Sequence, residues 1–244
     1  MTDDPIGALA ALGWSPRVAA LYADAAGGRP DALPGRVVRV ERVGGVVALA
    51  DGTERLVPST TAPAVGDWVV VLAGASLEGL ERWSALVRAD PTGVGEQVLA
   101  ADVDLVAVTV PADRASLARV EREVAVGWES GARPIVVLTK ADLAPEGMVD
   151  GLRDRLVGVD VLATSATAGV GVDDLRAELR PNRTLVFLGP SGAGKSTLAN
   201  VLIGADVLAV AAVRDGDHRG RHTTTSRQLL AVPGGGVLID TPGL

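Results

Sequence analysis

The chain has 244 residues, 48% of them hydrophobic, 22% charged and only 2% aromatic. This composition excludes a disordered chain, and the length admits one or two domains with cores of Val, Leu and Ala rather than rings. A net charge of −7 argues against a generally basic, non-specific nucleic-acid binder, and the lack of cysteine excludes disulfides and any Cys-held zinc or iron–sulfur site in these residues.

The start, Met1-Thr2-Asp3-Asp4-Pro5, is acidic and unlike a secretory or transit signal. Residues 1–34 form an N-terminal helical extension, with helical pattern over Ile6 to Leu12 and Pro16 to Ala26, closed by Gly27-Gly28-Arg29-Pro30. Residues 35–80 change character. Gly35 to Val40 alternates and is rich in Val, Val46 to Ala50 runs into the hairpin signal Asp51-Gly52, and Arg55-Leu56-Val57 and Asp67 to Val71 complete a strand meander. A small β-barrel satisfies such a meander. The mixed charge of 81–97 reads as a linker.

From 98 to 244 strands and helices alternate, the pattern of a mainly parallel α/β sheet. Strands are expected at Val103–Val110, Pro134–Leu138, Asp160–Ala163 and Thr184–Leu188. Helices are expected at Leu117–Glu129, Met148–Leu156, Val172–Leu179 and Lys195–Leu202, and a closing hairpin at Gln228–Val232 and Gly236–Ile239. No run of about 18 uncharged apolar residues occurs, so no membrane span is expected.

Of 23 basic residues only Lys140 and Lys195 are lysine, and each falls in a nucleotide-binding motif. Gly189-Pro190-Ser191-Gly192-Ala193-Gly194-Lys195-Ser196, continued by Thr197, fits G-x-x-x-x-G-K-[ST] between a strand and a helix. Its glycines let backbone N–H groups turn around a phosphate, Lys195 can reach the terminal phosphates, and Ser196 can ligate Mg²⁺. Asp240-Thr241-Pro242-Gly243 follows an apolar strand; Asp240 can hold Mg²⁺ and the Gly243 N–H can sense a γ-phosphate. Thr139-Lys140-Ala141-Asp142 also follows a strand. The Asp142 carboxylate can accept two hydrogen bonds from a guanine edge, which adenine does not offer. Lys140 would lie along base and ribose, and Ser165-Ala166 after the next strand would complete a guanine pocket. The loop Arg214 to Arg227 holds His222 and Thr223-Thr224-Thr225. Thr224 is the choice among the three threonines for completing the Mg²⁺ shell, and His222 is a candidate for orienting the attacking water.

The order is informative. Base motifs precede the phosphate loop, the reverse of ordinary GTPases, and a circularly permuted chain can still build the same sheet. The permuted order, the run Gly220-Arg221-His222-Thr223-Thr224-Thr225, Leu12-Gly13-Trp14, Pro34-Gly35-Arg36-Val37 and Val65-Gly66-Asp67-Trp68-Val69 together resemble the ribosome small subunit-dependent GTPase A family, RsgA or YjeQ. The resemblance implies an OB-fold ahead of a circularly permuted P-loop GTPase domain that is cut just after its D-x-x-G motif. It also implies GTP and GDP as substrate and product, Mg²⁺ as cofactor, and the small ribosomal subunit and its rRNA as partners in late 30S maturation. A cytoplasmic monomer acting on neither membrane nor DNA is expected.

The family's C-terminal zinc domain uses Cys and His, so its zinc site is expected to be absent from this chain. Thr139 stands where Asn is commoner. In the barrel, Arg36, Arg39, Arg42 and Arg55 are balanced by Glu41, Asp51, Glu54 and Asp67, so rRNA contact there rests on the resemblance. Leu244 stands where ordinary GTPases often carry a water-orienting Gln, so slow intrinsic turnover is expected. Two other readings remain open: a GTP-gated ribosome-binding module with little turnover, and a permuted GTPase with another ribosomal target. An ATP-dependent enzyme is disfavoured by Asp142 and Ser165-Ala166.

Overall fold

The computed structural model describes residues 6–72, 76–89, 95–205, 208 and 227–240. The N-terminal helix α1 (Pro16–Ala26) starts at the Ser15 cap, whose hydroxyl accepts from Val18 N at 3.4 Å. It ends at Gly27, whose left-handed φ of 57° stops the helix.

Five antiparallel strands follow: β1 (Leu33–Glu41), β2 (Gly44–Leu49), β3 (Glu54–Pro58), β4 (Trp68–Leu72) and β5 (Ser76–Gly79). β1 pairs with β2 and β4, β2 with β3, and β4 with β5, while β3 lies against β5. This circuit is an OB-like barrel. Its interior is filled by Val37, Val47, Leu49, Val57, Val69 and Val71, small branched side chains that a narrow barrel accepts. On the outer face of β4, Trp68 and Val70 pack against Leu9 and Val18 from the N-terminal helices. Trp14 stacks edge-on against both Trp68 and Tyr22.

The stretch 81–97, read from its charge as a linker, contains structure. Strands β6 (Ala85–Ala89) and β7 (Glu96–Ala101) pair antiparallel over this region. Only Leu86 of β6 is buried and the rest of that strand is partly or fully exposed, so its apolar pattern is too sparse to read as a strand.

The second half is the α/β layer. Its strands are β8 (Leu105–Pro111), β9 (Arg133–Thr139), β10 (Asp160–Ala163), β11 (Thr184–Leu188), β12 (Gln228–Ala231) and β13 (Val237–Asp240). Its helices are α2 (Leu117–Glu129), α3 (Met148–Arg155), α4 (Val172–Glu178) and α5 (Lys195–Ile203). The spatial order β10-β9-β8-β11-β13 is parallel throughout, and β12 closes antiparallel on β13. Period-2 alternation assigns the faces. Val106, Val108, Val136, Leu138 and Val186 point to the side covered by Val120 and Val124 of α2 and Leu152 of α3. Leu105, Ala107, Ile135, Val137, Leu185 and Phe187 point to the side covered by Leu175 of α4 and Leu198 and Leu202 of α5. Both faces are buried, which is why these strands read as unbroken apolar runs.

Barrel and α/β layer share one sheet, because Arg39 of β1 pairs with Gln228 of β12. Arg36, fully buried, pins the same joint. Its guanidinium donates to Gly66 O at 3.1 Å, Asp102 O at 3.3 Å, Thr184 Oγ1 at 2.8 Å and the Leu12 carbonyl, and it stacks 4.8 Å over the Trp68 ring. Among the described residues no helix is long and apolar enough to cross a membrane.

Candidate nucleotide site

The site lies at the carboxyl ends of the parallel strands, where open α/β sheets bind ligands. β11 ends at Leu188 and the chain turns through residues 189–194 into α5. Gly189, Gly192 and Gly194 have φ of 147°, 74° and 88°. At Gly189 the requirement is also steric: a Cβ there would lie 2.6 Å from Thr109 O of β8. The loop therefore runs close along the neighbouring strand and delivers Lys195 and Ser196 to the first turn of α5.

Lys195 folds back over this loop, its Nζ donating to the Gly189 carbonyl and to Pro190 O at 3.0 Å. Burial lowers the Lys195 pKa, opposed by the carboxylates of Glu123 from α2 and Asp240 from the end of β13. Asp240 and Glu123 are themselves raised by burial, and Lys195 opposes that rise in both. A lysine ammonium over a glycine-rich turn at the start of a helix suits a polyphosphate.

The strands that lead into the Thr139–Asp142 and Ser165–Ala166 loops converge beside it. Thr139 ends β9, is buried, and its hydroxyl donates to Ala193 O at 2.7 Å, so the Thr139–Asp142 loop is tied to the glycine-rich turn 189–194. Lys140 follows with φ 54°, and its Nζ lies 2.8 Å from Asp113 Oδ2. Ala141 N donates to Thr164 O at 3.0 Å, which joins the Thr139–Asp142 loop to the Ser165–Ala166 loop. Ser165 is buried, and its backbone exchanges two hydrogen bonds with Val170. Asp142 is exposed at the rim. Thus Gly189 to Thr197, Thr139, Lys140, Asp142, Ser165, Ala166 and Asp240 gather at one end of the sheet. His222, Thr224 and Gly243 lie outside the described residues, as do Thr223, Thr225 and Leu244.

No group of three or more His, Cys, Asp or Glu that could hold a metal occurs among the described residues. Ser196 at the start of α5, with Asp240 acting electrostatically on the adjacent Lys195, fits instead a hard cation held by few protein oxygens and by phosphates. Asp113, Arg114 and Glu123 were not singled out by the sequence motifs. Asp113 and Arg114 follow β8, whose end lies beside both the Thr139 strand and the phosphate loop, and only sheet order reveals that.

The family model of the RsgA GTPase matches residues 79–244. The chain belongs to the RsgA GTPase family. It is 47% identical to the small ribosomal subunit biogenesis GTPase RsgA of Streptomyces coelicolor, over 97% of this chain and 69% of that protein. The RsgA of Streptomyces avermitilis is 48% identical over 87% of this chain and 62% of its own length, so the chain spans under two thirds of that relative. The RsgA of Opitutus terrae is 39% identical over 97% of this chain. The crystal structure of YjeQ from Thermotoga maritima shares the fold, with a TM-score of 0.63 over 87% of this chain and 75% of that one at 23% identity. This match bears out the expected class, an OB-like barrel joined to a P-loop GTPase sheet.

Proposed function

We propose that this chain binds guanine nucleotide and hydrolyses GTP to GDP and phosphate, stimulated by the small ribosomal subunit, in late maturation of that subunit. The observation that carries the reading is the convergence of three motifs in permuted order, joined by Thr139 Oγ1 to Ala193 O and by Ala141 N to Thr164 O. The names of the Streptomyces relatives support the ribosomal assignment.

In this reading residues 189–197 cradle the phosphates, and Thr139, Lys140, Asp142, Ser165 and Ala166 bound the guanine. Ser196, Asp240 and Thr224 would hold Mg²⁺, which when bound neutralises charge on the phosphates. Gly243 senses the γ-phosphate, and His222, a backbone group or the ribosome orients the water, since the Leu244 side chain cannot.

Steady-state GTP hydrolysis with and without purified small subunits, with large subunits as control, tests this reading. Stimulation by small subunits alone is expected. Equal stimulation by large subunits would move the target, and none at all would leave a guanine-nucleotide binder with another partner. Asp142→Asn should shift preference from guanine to xanthine nucleotides in a competition assay; retained guanine preference would remove Asp142 from the pocket. A second reading, a GTP-gated binding module that turns over little, is favoured by Leu244, and fast turnover without any partner would reject it.

A further inference from the structure

The turn leaving β8 sets a residue that no motif contains against Lys140. β8 and β9 are parallel, with Pro111 opposite Thr139, so the chains leaving both strands emerge side by side. Two residues beyond Pro111, in the short helical turn Ala112–Arg114, Asp113 Oδ2 accepts a hydrogen bond from Lys140 Nζ at 2.8 Å. Lys140 is held at its other end by its backbone. Its φ of 54° lies in the left-handed region, which a residue with a Cβ rarely adopts, and its carbonyl accepts from Leu143 N at 2.9 Å. The backbone thus sets where the stem leaves, and Asp113 sets where it ends. The same turn reaches the phosphate loop, with Arg114 Nη2 at 3.4 Å from Gly192 O.

We propose that Asp113 is a positioning residue for nucleotide recognition: it holds the Lys140 ammonium so that the stem stands ready as a wall of the guanine pocket. The inference rests on the guanine-pocket reading above. The side chains of Lys140 and Asp113 are 36% and 37% exposed. An ion pair so exposed contributes little to folding, so fold stability does not account for it. Lysine carries much rotamer freedom, which a nucleotide must otherwise freeze on binding. A lysine ordered beforehand removes that cost from the binding step. Lys140 also holds the Asp113 carboxyl below the usual carboxylate range, so the pair is intact at neutral pH.

The test is titration of a fluorescent GDP analogue into nucleotide-depleted wild type, Asp113→Ala, Asp113→Glu, Lys140→Ala and the Asp113→Ala/Lys140→Ala double variant. Asp113→Ala is expected to weaken binding by about five- to tenfold. Asp113→Glu should recover most of the loss, and the double variant should bind no worse than Lys140→Ala alone, because Asp113 acts through that lysine. Wild-type affinity in Asp113→Ala, or losses that add in the double variant, would overturn the proposal. Melting curves of the nucleotide-free proteins separate a folding defect from a binding one. Asp113→Asn, isosteric and uncharged, carries the test if the Ala variant melts early. Failure of the wild type itself to bind the probe would overturn the guanine-pocket reading instead.

Discussion

One hydroxyl joins the loop proposed to hold the base to the loop proposed to hold the phosphates. Thr139 Oγ1 donates to Ala193 O, and both residues are buried. Thr139→Val keeps the shape and removes the donor, which leaves a buried carbonyl unpaired at a cost of about 1–3 kcal/mol. A melting temperature lower by roughly 2–4 °C per kcal/mol is expected, with weaker GDP binding, while Thr139→Ser should hold both near wild type. Unchanged melting and GDP affinity in Thr139→Val would show that the bond does no work. The residue was legible in the sequence because its motif follows an apolar strand. Its partner was not, because the two are 54 positions apart and only the parallel neighbours β9, β8 and β11 bring them together.

Asp102 is a second residue-scale case. It is 1% exposed with φ 53° at the break between β7 and β8, and accepts from Trp68 N at 3.1 Å and Trp83 N at 3.3 Å. Burial pushes its carboxyl up to about 7, against those two N–H groups and Arg36. A carboxyl raised on folding binds a proton in the folded state that the unfolded chain has already lost. Its stabilising contribution is therefore full below the ordinary carboxylate range and is lost as pH rises towards 7. Urea midpoints measured from pH 4 to pH 8 should fall with pH in the wild type, and this component should vanish in Asp102→Asn. Parallel pH profiles for the two proteins would rule it out.

At the scale of elements, the β11–loop–α5 unit was the most legible, since its glycine spacing between a strand and a helix is a motif in itself. Gly189→Ala tests how tightly that loop is built. The new methyl would strike Thr109 O at 2.6 Å with φ at 147°, so the loop must move. Loss of nucleotide binding with the fold retained is expected, read by titration and circular dichroism; normal GDP affinity would mean the loop has slack. The β12–β13 hairpin was also legible, from two short apolar runs around Gly234-Gly235-Gly236. The β6–β7 hairpin was not, because its outward residues Arg88 and Gln97 pair with each other, at 3.2 Å, and give it the polar look of a linker.

At the scale of the molecule, the joint between barrel and α/β layer was invisible in the sequence. Arg36 looks like one surface charge among four in the barrel, yet it is fully buried and bonded to groups from residues 12, 66, 102 and 184. Burial lowers its pKa to about 10, so it remains charged at neutral pH. Arg36→Met strands several buried carbonyls and should cost about 3 kcal/mol or more in a urea titration. Arg36→Lys should not restore it, since one ammonium cannot reach the partners of a planar fork. A variant of wild-type stability would mean the two halves are held together elsewhere.

The shared sheet has a consequence during synthesis. β4 covers Leu33–Arg36 of β1 early, but the pairing of Arg39 waits for Gln228, and Arg36 waits for Thr184. At roughly 5–20 residues per second, the emerging barrel spends on the order of ten seconds or more with that edge uncovered. An uncovered edge invites pairing with a neighbouring nascent chain. Arg39 and Glu41, ion-paired to each other at 3.0 Å on that strand, are charges of the kind that keep such an edge from sticking until the β12–β13 hairpin arrives.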